Sequence, residues 1–471
     1  MKNMLIINIF ILFQISLSLI IFPFKSIIEK QNEYISPEKE EYNYTHFMND
    51  YFKQLNYITI KIGSPPQEIN AILTYQDCGF KIGKSKQCIT NLNFMSFYNR
   101  NISSDFNYTN FYPFPINEFD NQGNSAEDSI YAYTELDLKN YKNFKKIAFY
   151  LGSDTNDSLC CIIGFKMDNY DKICNKINNI FQSFKENNII NNYQWVLKYT
   201  NKNEGLFIIG TNIKDMFSNY DEDKLFIVNT NLNSTKNNWG FDIQRVISGN
   251  DNYIVSNEIS RGEIDNDLAL IQGSSSYYDY IEKNFFKKYF DNKICTKYMW
   301  YLNIYFQYFV IECDKKQFTE KDINNFPKLF LIGFNAQVKF EFDANDLFTE
   351  TKYKYFFNVI FSIYRLEYWI LGKIFLKKYL TIIDYKEKKI SVYLGQDIPI
   401  NDPIEEKSKI YKKDLFIIFI IVILFLIFGF LCYLIGKNIN KKRKKKAYEL
   451  TDNDYEYTST YENNTINNIS N

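Results

Sequence analysis

Between Leu415 and Gly436 the chain carries twenty-two consecutive residues without a charge. At about 1.5 Å of rise per residue, a helix of that length spans the ~30 Å hydrocarbon core of a bilayer. Lys437 and the block Lys441, Lys442, Arg443, Lys444, Lys445 and Lys446 follow at once, against only Lys412 and Lys413 before it. Positive charge collects on the cytosolic side of a span. The expected layout is a type I, single-pass membrane protein. Residues before 415 fold in the lumen or outside the cell, in the secretory pathway or at the surface, and a polar cytosolic tail covers 437–471.

A second apolar run, Leu5 to Phe22, follows Lys2 and reads as a signal peptide over 1–22, with Ser16 and Ser18 its small residues. An uncleaved anchor is the alternative. Cysteine usage agrees with an oxidising compartment. Cys78, Cys88, Cys160, Cys161, Cys174, Cys295 and Cys313 precede the span, and Cys432 lies in it. Seven is odd, so at least one lacks an intrachain partner. Cys78–Cys88 and Cys295–Cys313 are candidate short-loop bridges, and Cys174 is a candidate partner for Cys160 or Cys161. Sequons at Asn43, Asn101, Asn107, Asn156 and Asn233 are candidate glycosylation sites.

Composition narrows the chemistry. Lys plus Arg and Asp plus Glu are each 55, which leaves no charge excess for nucleic acid. His46 is the only histidine, so the body has no Ser-His-Asp triad and no multi-histidine metal site. Gly79-Phe-Lys-Ile-Gly-Lys-Ser85 falls one residue short of a phosphate loop and reads as a turn. Ser274, Ser275 and Ser276 have no histidine nearby and read as a polar loop that caps the following helix at Ser276. No cofactor or metal is expected.

The body reads as all-β. Tyr57-Ile-Thr-Ile-Lys-Ile62 alternates apolar and polar, Gly63-Ser-Pro-Pro-Gln67 turns, and Glu68–Leu73 returns. Similar runs recur at Ser129–Leu138, Lys146–Leu151, Trp195–Tyr199, Gly205–Ile209, Phe226–Thr230, Trp239–Val246, Lys328–Ile332, Val338–Phe342, Tyr379–Tyr385 and Lys389–Leu394. Only Tyr170–Asn188 and Ser276–Tyr289 look helical. The halves echo each other. Ala71–Asp77 and Ala269–Ser275 each run from an apolar stretch into a polar loop, and Cys161-Ile-Ile-Gly164 and Trp369-Ile-Leu-Gly372 follow downstream in matching order.

With these segments the chain resembles the pepsin-like aspartic peptidase family from about Tyr51 to Leu394. The entry hairpin Tyr57–Gln67, Cys161–Phe165, Trp239-Gly-Phe-Asp-Ile243 and the closing Trp369–Tyr385 carry the resemblance. It implies a bilobal double β-barrel and a Cys295–Cys313 bridge. The expected organisation is a signal peptide over 1–22, a propeptide-like segment over 23–50, an N-terminal lobe over 51–228, a linker over 229–238, a C-terminal lobe over 239–396, a stalk over 397–414, the span over 415–436 and the tail over 437–471.

The family's chemistry uses one aspartate from each lobe, the two sharing a proton. Ungapped placement from Gln67 puts Thr74 at the first position, and the second falls on Gln272. Neither residue can act as the base. Asp77, in Asp77-Cys78-Gly79, is the alternative first aspartate, but reaching it needs an odd shift that flips the strand's faces. Asp267 and Asp279 stand five residues before and seven after Gln272, too far to replace it. Ser125–Asp137 lacks a flap tyrosine at the family's spacing, and Lys373 replaces the family's Asp or Asn after Trp-Ile-Leu-Gly. The expected function is therefore that of a membrane-anchored peptidase homologue without activity, binding a peptide or protein or scaffolding a complex. The alternatives are a working aspartic endopeptidase, through Asp77 and an unrecognised second acid, and a structural subunit of a membrane complex.

Overall fold

The structure is a computed structural model. It describes residues 19–26, 54–75, 78–82, 98–110, 123–134, 137–152, 161–166, 180–201, 203–210, 220–230, 239–249, 253–301, 307–333 and 338–394. All belong to one compact unit, Met1–Pro399. The expected transmembrane segment 415–436 lies outside the described residues. Among those described, no helix is long and apolar enough to cross a membrane.

The described strands form two curled sheets. The first takes β1 (Ile20–Ser26), β2 (Asn56–Ile62), β3 (Gln67–Thr74), β4 (Cys78–Ile82), β5 (Asn107–Asn110), β6 (Gly123–Thr134), β7 (Asp137–Gly152), β8 (Ile162–Phe165), β9 (Gln194–Tyr199), β10 (Glu204–Ile209) and β11 (Leu225–Asn229). The second takes β12 (Gly240–Ser248), β13 (Tyr253–Ser256), β14 (Ser260–Ile264), β15 (Ile271–Gly273), β16 (Cys295–Tyr301), β17 (Gln307–Asp314), β18 (Leu329–Gly333), β19 (Lys339–Phe342), β20 (Phe348–Glu350), β21 (Lys354–Phe357), β22 (Val359–Ser362) and β23 (Trp369–Leu371). The last strands, β24 (Leu380–Asp384) and β25 (Lys389–Tyr393), return to the first sheet beside β9 and β11. The two ends of the chain body thus meet in one sheet, and the C-terminal lobe does not close on itself at 396.

Period-two patterning explains most of these elements. In β2, Asn56, Ile58, Ile60 and Ile62 face the core while Tyr57, Thr59 and Lys61 alternate outward. A turn over Gly63–Pro66 follows, with Gly63 at φ +89°, where only glycine sits without strain. Ser129–Leu138, expected as one strand, spans the end of β6 and the start of β7. The expected helix Tyr170–Asn188 is described only over Ile180–Glu186. The other runs from Ser275 through a wider turn at Glu282–Phe286 to Asp291.

One sequence boundary is corrected. Ile20–Phe22, assigned above to the signal peptide, and Pro23–Ser26, assigned to the propeptide-like segment, form β1 between β10 and β2. The reason is a strand pattern hidden inside an apolar run: Ile20, Phe22 and Phe24 share the buried face. Pro23 falls between the ladder to β6, which holds Ile20 and Ile21, and the ladder to β2, which starts at Phe24. A missing N–H is tolerated in such a gap.

Cys295 and Cys313 are register partners on β16 and β17 and form a disulfide. Aromatic side chains fill both cores. Phe165, Trp195 and Tyr75 pack together in the first, and Phe286, Phe326 and Phe357 in the second.

Candidate functional site

Each sheet contains the same three-strand crossing. β3 runs parallel to β8, with Leu73 opposite Ile163 and Thr74 opposite Gly164. The chain leaves β3, loops, and returns as β4 antiparallel to β8, with Phe80 opposite Ile163 and Lys81 opposite Ile162. In the second sheet β14 runs parallel to β23, with Ile264 opposite Leu371. The chain loops and returns as β15, with Ile271 opposite Leu371 and Gln272 opposite Ile370.

Overlaying Gly164 on Gly372 makes the two crossings coincide. Leu73 falls on Ile264, Thr74 on Asp265, and Lys81 on Gln272, the last two each seven residues further on. The counterparts of Thr74 and Tyr75 are therefore Asp265 and Asn266. This corrects the sequence placement of Gln272. The apolar run Ala269-Leu-Ile before Gln272 imitates the strand leading into the loop, but it is the strand leading out. Gln272 is buried in the middle of β15, on the face it shares with Ile370 and Glu263.

The two loops lock together. Asn266 is fully buried; its Nδ2 donates to the Leu73 carbonyl at 2.8 Å, and its Oδ1 accepts from the Tyr75 amide at 3.2 Å. Thr74 Oγ1 donates to Asp267 Oδ2 at 2.5 Å, and the Asp267 amide donates to Asp265 Oδ1 at 2.9 Å. Thr74 is buried, while Asp265 and Asp267 are half-buried. A Cβ on Gly372 would lie 2.0 Å from the Leu270 carbonyl oxygen and 2.3 Å from that of Leu268, so the loop's exit closes directly over this glycine. Tyr75 packs against Trp195 with ring centroids 5.2 Å apart. Burial pushes its hydroxyl pKa well up, and Tyr199, Asp265 and Asp267 add to the rise.

Behind the loops lies a buried lysine. Lys373 opens the short helix Lys373–Lys378 after Gly372. Its Nζ donates to Asn56 Oδ1 at 2.8 Å and lies 3.3 Å from Ser26 Oγ. Ser26 Oγ itself donates to Asn56 Oδ1 at 2.7 Å, and Asn56 Nδ2 donates to the Tyr199 hydroxyl at 2.8 Å. Burial pushes the Lys373 amine well below its ordinary value and Lys377 adds to this, while Asp267 and Asp265 pull it back. The residue joins β1 and β2 of the first sheet to the second-sheet crossing. Trp239 does the same elsewhere, with Nε1 donating to the Phe165 carbonyl.

The other sequence candidates scatter. Asp77 lies outside the described residues, as do Cys88, Cys160, Cys174, Asn43, Asn156 and Asn233. Cys78 opens β4, and Cys161 is buried just before β8. Asn101 and Asn107 are exposed. Ser125–Asp137 covers the later part of β6 and the first residue of β7. β5 and β6 also pair as a hairpin, and its connecting residues 111–122 lie outside the described residues.

Chemically, the junction offers two carboxylates from one loop and a hydroxyl from the other. Asp265 is the acid that sequence reasoning missed. The signal available was Gly262-Glu-Ile-Asp265, an acid closing a strand, with Ser274 nine residues later as the cap of the next helix.

No family model and no curated protein matches this sequence. Among solved structures, basic 7S globulin from soybean is similar, with a TM-score of 0.52 and 9% identity over 81% of this chain and 96% of that chain. The likeness is one of fold: a bilobal, pepsin-like, all-β body.

Proposed function

We propose that this chain is a membrane-anchored homologue of the pepsin-like peptidases that binds a peptide or protein at the junction of its two lobes without hydrolysing it. One observation carries the reading: Thr74 stands at the position that mirrors Asp265. A pair of acids sharing one proton is what lets one carboxylate act as base while the other donates. A threonine hydroxyl cannot be that base, and this one is already donating to Asp267. General acid–base help is worth roughly a hundred- to ten-thousand-fold, so its loss takes turnover to background. The anchor and the secretory route belong to the same proposal and rest on the segments Leu5–Leu19 and Leu415–Gly436.

A second reading, a working peptidase, is favoured by Asp265, which keeps its acid and receives the Asp267 amide. The full chain in detergent separates the two. At acidic pH a peptide library should be retained saturably and left uncut, with no difference from Asp265→Ala in product formation. Cleavage abolished by Asp265→Ala and blocked by a statine-type inhibitor would establish the second reading. No peptide retention in either form would leave a scaffold.

A further inference from the structure

The start of the folded body can be placed to a single peptide bond. β1 is a central strand. It pairs with β10 from Ile20–Ile209 through Lys25–Glu204, with β6 at Ile20 and Ile21, and with β2 from Phe24 to Ser26. Ile20, Phe22 and Phe24 are at most 1% exposed. The neighbouring strand is shaped around it: a Cβ on Gly205 would lie 2.4 Å from Phe24 Cζ. At its far end, Ser26 joins the Lys373–Asn56 cluster. A cut after Phe22 would remove three rungs of the β10 ladder, the whole β6 ladder and three buried side chains. Processing that leaves this body intact must therefore fall upstream of Ile20.

Upstream, the sequence offers one place. Cleavage of a leader requires small side chains one and three residues before the scissile bond, after an apolar stretch of about 7–15 residues. From Leu5 to Leu19 the only small residues are Ser16 and Ser18, at that spacing, and Leu5–Ile15, apolar except for Asn8 and Gln14, supplies the stretch before them. We infer that the leader is hydrolysed between Ser18 and Leu19, so that the mature chain begins one residue before β1. Water adds across the Ser18–Leu19 amide, leaving a carboxylate on Ser18 and a free amine on Leu19; the enzyme is the membrane-bound signal peptidase of the secretory route. The inference rests on the secretory reading above. It replaces an end at Phe22 with one that spares every residue of β1.

The test is the N-terminus of the full chain, expressed in a secretory eukaryotic host, purified through a C-terminal tag and read by mass spectrometry after denaturation, so that folding does not enter. Wild type should begin at Leu19. Ser18→Phe should lose that terminus while the chain stays sensitive to endoglycosidase. A wild-type terminus inside β1 or beyond it, or a Ser18→Phe chain still beginning at Leu19, overturns the site. An intact Met1 on a glycosylated chain also overturns it and leaves the routing standing. An intact Met1 on a chain that endoglycosidase does not shift overturns the routing as well.

Discussion

The segments Thr74–Tyr75 and Asp265–Asp267 follow mirrored strands in the two sheets, yet they divide the work unequally. In the first loop two of the three bonding groups are backbone, the Leu73 carbonyl and the Tyr75 amide, and the third is the Thr74 hydroxyl. In the second the side chains do it: Asn266 takes both of those groups, Asp267 takes the Thr74 hydroxyl, and Asp265 takes the Asp267 amide. The second half keeps an acid at the mirrored position and the first half keeps only a hydroxyl. What the pair retains in full is the clasp between lobes, and what it lacks is the acid pair. A symmetric junction can therefore be held together by unlike groups from its two halves.

The sharpest way to break that comparison is to remove the clasp. Asn266→Ala deletes two hydrogen bonds of about 1 kcal/mol each and strands a buried amide at Tyr75, which alone costs about 1–3 kcal/mol. The expected loss is about 3–5 kcal/mol, read as a fall in the denaturation midpoint at unchanged slope. A loss below about 1 kcal/mol would mean that Asn266 is a surface contact and not the tie between loops.

Much of this was legible in the sequence. The alternation in Tyr57–Ile62, the turn at Gly63–Gln67 and the glycines of Ile-Ile-Gly164 and Ile-Leu-Gly372 fix strands by local pattern, and the structure places them as read. Thr74, reached by an ungapped count from the nearby turn, ends β3 opposite Gly164. Gln272 failed because its lobe offers two consecutive apolar strands, Gly262–Ile264 and Ala269–Ile271, and pattern alone does not say which enters the loop and which leaves it. Only the pairing direction against β23, parallel for one and antiparallel for the other, separates them. The same blindness merged β1 with the leader, since a run of apolar residues conceals a period of two. Lys373 was seen as a departure from the family pattern, but its partners Ser26 and Asn56 lie more than three hundred residues away in sequence.

Lys373 gives the next prediction, with the opposite sign. A buried amine held by neutral partners has given up its hydration for little, and an apolar residue of similar length often does as well or better by about 1–4 kcal/mol. Lys373→Met should therefore stabilise the chain, or at worst leave it unchanged. The pH dependence has a fixed sign. The folded amine titrates below its ordinary value, so between that lowered value and about 10.4 the unfolded chain holds a proton that the folded chain lacks. Wild-type stability rises with pH across this window, and below it the full burial penalty remains. Asp267 and Asp265 raise the lower edge of the window and so narrow it, while Lys377 lowers the same edge and widens it. Denaturation midpoints at several pH values should show a slope in wild type that Lys373→Met removes. An equal slope in both would show that the amine is charged and satisfied where it lies.

Gln272 closes the comparison with the smallest effect. If it faced Thr74 across the junction, its amide would be bonded there and its loss would resemble that of Asn266. In the structure it sits within β15, at the place that mirrors Lys81, and its buried Nε2 has no hydrogen-bond partner among the described residues. Replacing an unsatisfied buried amide with a side chain of similar volume removes a desolvation cost without breaking a contact. Gln272→Met should thus leave stability unchanged or raise it by roughly 0.5–1 kcal/mol, because methionine adapts to the same space. It should also leave peptide retention intact. A destabilisation of about 2 kcal/mol or more, or lost retention, would return Gln272 to the junction and remove Asp265 from it.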